Sequence, residues 1–184
     1  HGIGNDFIFV DCFKEKIKTP EAVAQLICDR HFSIGGDGLI LILPSKVADI
    51  KMRIFNSDGS EPEMCGNGIR CLAKYVYEHK ISIKNPLSVE TGRGNLSVKM
   101  NISKGVVQGV RVNMGTPILN GIDIPALFDD EIVMNKTIQI NGENFLFTAL
   151  STGNPHCVIY VEDVEKFPVE KFGPLIESNK IFPN

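Results

Sequence analysis

The sequence predicts an α+β fold built on a mainly antiparallel sheet. Apolar stretches of strand length outnumber helical ones and run from Phe7–Val10 to Cys157–Val161. Turn residues punctuate them at short intervals, as in Asn56-Ser57-Asp58-Gly59, Gly92-Arg93-Gly94 and Asn141-Gly142. The order is a Gly/Asn-rich turn, strands with helices, antiparallel ribbons, and then ribbons again. That order argues for antiparallel pairing and against βαβ winding.

Phe7 to Val10 is a strand after the loop Gly2-Ile3-Gly4-Asn5-Asp6. Thr19-Pro20-Glu21 starts a helix: Thr caps, Pro takes the first helical position, and Glu suits the positive end. Val23, Leu26, Ile27 and Arg30 share a face, and the helix should end near His31, before Gly35-Gly36. Gly38 to Leu43 is a buried strand, and Ile50, Met52 and Ile54 alternate as a second. Ile69, Leu72, Ala73 and Val76 repeat at helical spacing, so a helix runs from Gly66 or Asn67 to Glu78. Leu87–Thr91 and Asn95–Met100 flank a three-residue hairpin loop, Gly92-Arg93-Gly94, and Val106–Met114 follows as a strand. Gly115-Thr116-Pro117 is the best boundary, giving regions 1–115 and 116–184. Asn141-Gly142 turns a hairpin between Thr137–Ile140 and Phe145–Leu150. Val169, Phe172 and Ile176 mark a short helix, weakened by Gly173-Pro174.

Composition narrows the function classes. The 184 residues are 43% hydrophobic and 22% charged, which excludes a disordered or collagen-like chain. The longest apolar run considered, Leu39 to Leu43, is strand-sized, so no spanning helix and no membrane partner are expected. A pI near 5.8 with scattered Lys and Arg argues against a nucleic-acid partner. The five cysteines are odd in number and irregular in spacing, which fits reduced thiols in a cytoplasmic protein. No zinc spacing, HExxH or Walker loop occurs, and no Lys sits in a pyridoxal-phosphate context, so neither metal nor cofactor is expected. The consecutive Asp129, Asp130 and Glu131 read as a solvated loop. The first residue is His, and the chain closes on Phe182-Pro183-Asn184, so a fragment is expected.

The chemistry concentrates in Met64-Cys65-Gly66-Asn67-Gly68-Ile69-Arg70. A thiol directly before a helix start meets free N–H groups and partial positive charge, which favour a thiolate. The glycines allow close approach, and the same N–H groups can seat a carboxylate. A buried Cys before an ordinary helix is the competing explanation, and the flanking glycines and Asn67 bring the two to even terms. Ser151-Thr152-Gly153-Asn154-Pro155-His156 is a second polar turn. Asn154 could bind a substrate amine or carboxylate, whereas His156 reads first as a turn residue that could tune a neighbour. Asn5 and Asn56 lie in glycine-flanked turns, and each alone reads as a turn residue.

Taken together these segments resemble the diaminopimelate epimerases, a family of cofactor-independent amino-acid epimerases. The likeness is carried by His1-Gly2-Ile3-Gly4-Asn5-Asp6-Phe7, Arg53-Ile54-Phe55-Asn56-Ser57-Asp58-Gly59-Ser60 and Met64-Cys65-Gly66-Asn67-Gly68-Ile69-Arg70-Cys71. Arg111-Val112-Asn113-Met114-Gly115 and Gly153-Asn154-Pro155-His156-Cys157-Val158 extend it almost end to end. The resemblance implies two similar lobes, each a sheet wrapped on a central helix, with the second incomplete here. It implies that Cys65 is one of two catalytic cysteines and that Asn5, Asn56 and Asn154 contact substrate. It implies that Gly66 and Asn67 help seat the α-carboxylate. It further implies a small amino-acid substrate, a cytoplasmic homodimer at full length, and a role in lysine and peptidoglycan synthesis. The family's later Cys-Gly-Ser/Thr-Gly motif and Glu-Arg pair have no match, so the chain as given is expected to be inactive alone. The alternatives are a proline racemase-like or phenazine-biosynthesis-like isomerase of the same fold, a cysteine hydrolase using Cys65 and His156, and an inactive fragment.

Overall fold

The computed structural model describes residues 1–128 and 132–183; Asp129, Asp130 and Glu131, expected as a solvated loop, lie outside the described residues, as does Asn184. The chain divides into two compact units, His1–Met114 and Gly115–Asn184.

The first unit holds a six-stranded sheet in chain order: β1 (Phe7–Asp11), β2 (Gly38–Leu43), β3 (Ile50–Asn56), β4 (Leu87–Thr91), β5 (Gly94–Ser103) and β6 (Val106–Val112). Helix α1 (Pro20–Ile27) joins β1 to β2, and α2 (Gly66–Glu78) joins β3 to β4. The pairs β2/β3, β4/β5 and β5/β6 are antiparallel, whereas β1/β2 and β3/β4 are parallel. Mixed α+β architecture with mainly antiparallel pairing therefore holds. The expected lack of βαβ winding does not, because each helix is the crossover that a parallel pair requires.

The sheet is covered on both faces. Ile40 and Ile42 of β2 pack with Ile50, Met52 and Ile54 of β3 against the α2 stripe Ile69, Leu72, Ala73 and Val76. Leu39, Leu41 and Phe55 face the other way and pack with Ala24 of α1. A strand buried on both faces reads as an uninterrupted apolar run, which is why Gly38–Leu43 shows no alternation. Each fully buried aliphatic side chain here contributes about 1.5–3 kcal/mol.

Two local expectations change. Thr19 occupies the N-cap of α1, but its side chain makes no capping hydrogen bond. The helix stops at Ile27 rather than near His31. Asp29 Oδ1 accepts from the N–H groups of His31 and Phe32, at 2.7 and 2.8 Å, and turns the chain away. Leu26, placed on the buried face by the sequence, is 71% exposed; Pro20, Ala24 and Cys28 are the buried ones. The Gly92-Arg93-Gly94 loop is shorter than expected, since Thr91 pairs with Gly94 and leaves two residues in the turn.

The second unit is an antiparallel sheet of β7 (Lys136–Ile140), β8 (Glu143–Ser151) and β9 (Pro155–Ile159), with α3 (Val169–Glu177). Asn141 and Gly142 have φ of 52° and 85°, the left-handed pair that a tight hairpin demands. Helix α3 forms despite Pro174 because Phe172 and Ile176 anchor it to an aromatic core, with the Phe145 and Phe172 rings 4.9 Å apart. Among the described residues no helix is long and apolar enough to cross a membrane.

Candidate functional site

Cys65 is the N-cap of α2, with an extended backbone (φ −136°, ψ 114°). Its sulfur accepts from the Gly68 N–H at 3.4 Å, and the Ile69 N–H returns to the Cys65 carbonyl at 3.0 Å. Helix geometry leaves the Gly66 and Asn67 N–H groups without intrahelical acceptors. They stand where the positive end of the helix dipole favours an anion. Gly68 lets this end sit on the sheet: a Cβ there would lie 2.5 Å from Ile40 Cδ1 and 3.2 Å from Met52 Cε.

A second element reaches the same point. The segment Gly2–Asn5 closes a tight turn, with Gly2 N–H to Asn5 O at 2.9 Å and Asn5 N–H to Gly2 O at 3.2 Å. Ile3 and Gly4 take φ of 55° and 85°, a conformation costly for a β-branched residue. A Cβ on Gly2 would lie 3.1 Å from Asn67 Cβ, so glycine lets the turn rest against Asn67. The turn delivers Asn5 Oδ1 to 3.9 Å from Cys65 Sγ and 3.4 Å from Asn67 Nδ2.

Charged side chains flank these amides. Asn5 Nδ2 donates to Asp37 Oδ2 at 2.8 Å, and the Asp6 N–H donates to the same oxygen at 2.9 Å. Arg30 bonds both carboxylates, reaching Asp6 Oδ1 at 2.6 Å and Asp37 Oδ1 at 2.8 Å. On α2, Arg70 donates to Gly66 O at 3.1 Å and through a second nitrogen to Asn67 Oδ1. Hydrogen bonding from Arg30 holds the Asp6 carboxyl down at about 2. Asp37 lies below the usual carboxylate range, chiefly through the Asn5 amide and then the Asp6 N–H. Its two carboxylate partners raise Arg30 further.

Cys65, Gly66, Asn67 and Asn5 are thus gathered around one helix end. Asn56 belongs to another turn, where it donates to Ser60 Oγ at 2.9 Å and accepts the Gly59 N–H through its carbonyl. It pairs across β2 with Gly38, beside Asp37, at the strand ends where β1 and β2 begin. In the second unit, His156 Nε2 lies 3.1 Å from Asn154 Oδ1 and 3.4 Å from Thr152 Oγ1. Sequence reasoning missed Asp37, Asp6 and Arg70 as site neighbours, and it took Arg30 only as a helix-face residue. Arg70 lies inside the Cys65 segment and was open to a one-turn spacing argument, whereas nothing local links Asp37 to Asn5. Among the described residues no three His, Cys, Asp or Glu side chains converge as metal ligands.

Residues 1–119 match the family model of diaminopimelate epimerase. The chain is 50% identical over 187 positions to a diaminopimelate epimerase of Desulfitobacterium hafniense, which covers all of this chain and 66% of that protein. It is 50% identical over 183 positions to the enzyme of that name from Methanococcus maripaludis, again across 66% of the relative. The chain therefore spans slightly under two thirds of these relatives' length. Among solved structures, a probable proline racemase from Agrobacterium radiobacter superposes with a TM-score of 0.61 at 16% identity, covering 83% of this chain and 41% of that one. A phenazine biosynthesis protein of the PhzF family from Bacillus anthracis gives 0.58 at 19% identity, covering 89% and 52%. At such identities the likeness is one of fold.

Proposed function

Because the chain belongs to the diaminopimelate epimerase family, we propose that the whole protein converts LL-diaminopimelate to meso-diaminopimelate without a cofactor, with Cys65 as one of two bases. The carrying observation is that Asn5, bonded by Asn67, stands beside a thiol that caps a helix.

The reaction breaks one α-carbon–hydrogen bond and forms another on the opposite face. The α-proton is a very weak acid, so the carbanion needs fixed donors around it. The Gly66 and Asn67 N–H groups supply such donors for the substrate α-carboxylate, where charge builds as the proton leaves. Cys65 removes or returns the proton on one face. A base acting alone would tend to return the proton to the side it came from, so a second thiol on the other face completes inversion. The two share one proton. Asn5 contacts substrate beside Cys65, Asn56 and Asn154 are further proposed contacts, and His156 is a supporting residue that tunes a neighbouring group. The protein acts as a homodimer in this reading.

The test is the full-length protein incubated with LL-diaminopimelate in D₂O. The expected result is meso product carrying deuterium at one α-carbon, abolished by Cys65→Ala. Turnover of proline or hydroxyproline with no turnover of diaminopimelate would replace the proposed substrate. Undiminished epimerisation by the Cys65→Ala variant would remove Cys65 from the mechanism.

A further inference from the structure

We propose that Asp37 is a positioning residue that fixes which end of the Asn5 amide faces Cys65. The inference rests on the reading of Cys65 as a base.

The argument follows from hydrogen-bonding capacity. A carboxylate only accepts, so the end of Asn5 facing Asp37 Oδ2 at 2.8 Å must be its NH₂. A guanidinium only donates, so the end of Asn67 facing Arg70 must be its oxygen. Between those two ends a single arrangement is consistent. Asn67 Nδ2 donates to Asn5 Oδ1, and that same oxygen stands 3.9 Å from Cys65 Sγ. An inverted Asn5 would set its NH₂ against the Asn67 NH₂ and its oxygen against the Asp37 carboxylate, two donors meeting at one end and two acceptors at the other. Asp37 is itself held, by Arg30 at Oδ1 and by the Asp6 N–H at Oδ2. The series Arg30, Asp37, Asn5, Asn67, Arg70 is thus polarised by an acceptor-only group on one side and a donor-only group on the other.

The consequence falls on the proton of Cys65. A carbonyl oxygen beside the sulfur accepts from the thiol and favours its protonated form, whereas an NH₂ in that place would donate to the thiolate. Charged groups bonded to these amides are Arg70 on α2 and Asp37, with Asp6 and Arg30 beyond it. Glu63 precedes Cys65 by two residues on its loop. With Asp37 in place, the Asn5 oxygen is the end of the amide presented to the Cys65 sulfur.

The test is a double-mutant cycle in the full-length protein: Asn5→Ala, Asp37→Ala and both together. The first readout is the pH profile of iodoacetamide alkylation at Cys65, followed by peptide mass spectrometry. Asp37→Ala should change the alkylation profile of Cys65 by removing one of the two groups that hold the Asn5 amide, and should have no further effect once Asn5 is Ala. The second readout is epimerisation, where Asp37→Ala should lower kcat by about tenfold with little change in KM, again only when Asn5 is present. Asp37→Asn, whose oxygen can still accept, keeps the fold testable and should retain more activity than Asp37→Ala. An unchanged alkylation profile in Asp37→Ala overturns the inference, as does an effect that persists in the Asn5→Ala background. Alkylation needs no substrate, so failure to epimerise diaminopimelate would refute the proposed reaction and leave this result readable.

Discussion

Two cysteine-bearing turns look alike on paper and differ in kind once folded. Met64–Arg70 and Ser151–Cys157 each combine Gly, Asn and a thiol. Cys65 caps a helix, so its sulfur meets the Gly68 backbone N–H and the Asn5 amide that Asn67 bonds. Cys157 lies mid-strand in β9, the edge strand beside β8, and caps no helix. It is accessible at the surface, yet it lines an apolar cleft of about 610 Å³ with Ile159, Phe167 and Ile176, and desolvation pushes its thiol up to about 11. What makes a thiol useful as a base is the element that follows it, because a helix start gathers several free N–H groups and the positive end of its dipole at one point.

The largest contrast should appear in activity. Cys65→Ala in the full-length protein should cost on the order of 10³-fold in kcat, while Cys157→Ala should stay within about threefold. Equal losses would erase the distinction between the two turns.

Stability sharpens it next, because different glycines hold the two regions. A Cβ on Gly38 would lie 2.6 Å from the Phe55 carbonyl oxygen, a backbone atom in the neighbouring strand that cannot swing aside. Gly38→Ala should cost about 3 kcal/mol and loosen the end of the sheet that presents Asp37. Gly142 sits in the hairpin before β8 at φ 85° with open space around it, so Gly142→Ala meets only the backbone penalty, about 1 kcal/mol. Thermal unfolding of both variants should show the larger drop in Tm for Gly38→Ala; the reverse order would mean that the sheet end yields.

Reactivity gives a smaller contrast. Alkylation of Cys157 should rise about tenfold per pH unit between pH 8 and 10 and level off only near 11. Levelling near pH 8 would show that the walls of the cleft do not exclude water from the sulfur.

The smallest effect concerns acid. Asp6 is lowered in the folded state, so its ion pair contributes above the unfolded value of about 3.9 and is lost as pH falls toward about 2. The Asn5 side-chain amide signals in NMR should therefore hold their positions at pH 4 and move between pH 4 and 2. Arg30→Ala should shift that change upward in pH and leave the Asn154 signals alone. A change in the Asn5 signals centred near neutrality would assign their order to another group.

Much of the fold was legible because its determinants are local. Asn141-Gly142 specified its own turn, and Ile69, Leu72, Ala73 and Val76 specified the buried face of α2. Cys65 at a helix start was readable for the same reason, since glycine, asparagine and a periodic apolar run adjoin it. Leu26 misled because a short helix has several plausible apolar faces, and only the position of β2 and β3 chooses Ala24, with Val23 and Ile27 beside it. The parallel pairs β1/β2 and β3/β4 were hidden because a strand's own sequence does not record the direction of its neighbour.

By itself the sequence determined the strands, the turns, the helix that follows Cys65 and the family to which these belong. The tertiary structure alone decided that Asn5 meets a thiol 60 residues away and a carboxylate 32 residues away. It also decided that Arg30 bridges Asp6 and Asp37. The reason is one of range. Backbone preference and periodicity act over a few residues, whereas the orientation of a side-chain amide is set by whichever donors and acceptors the closed sheet brings beside it.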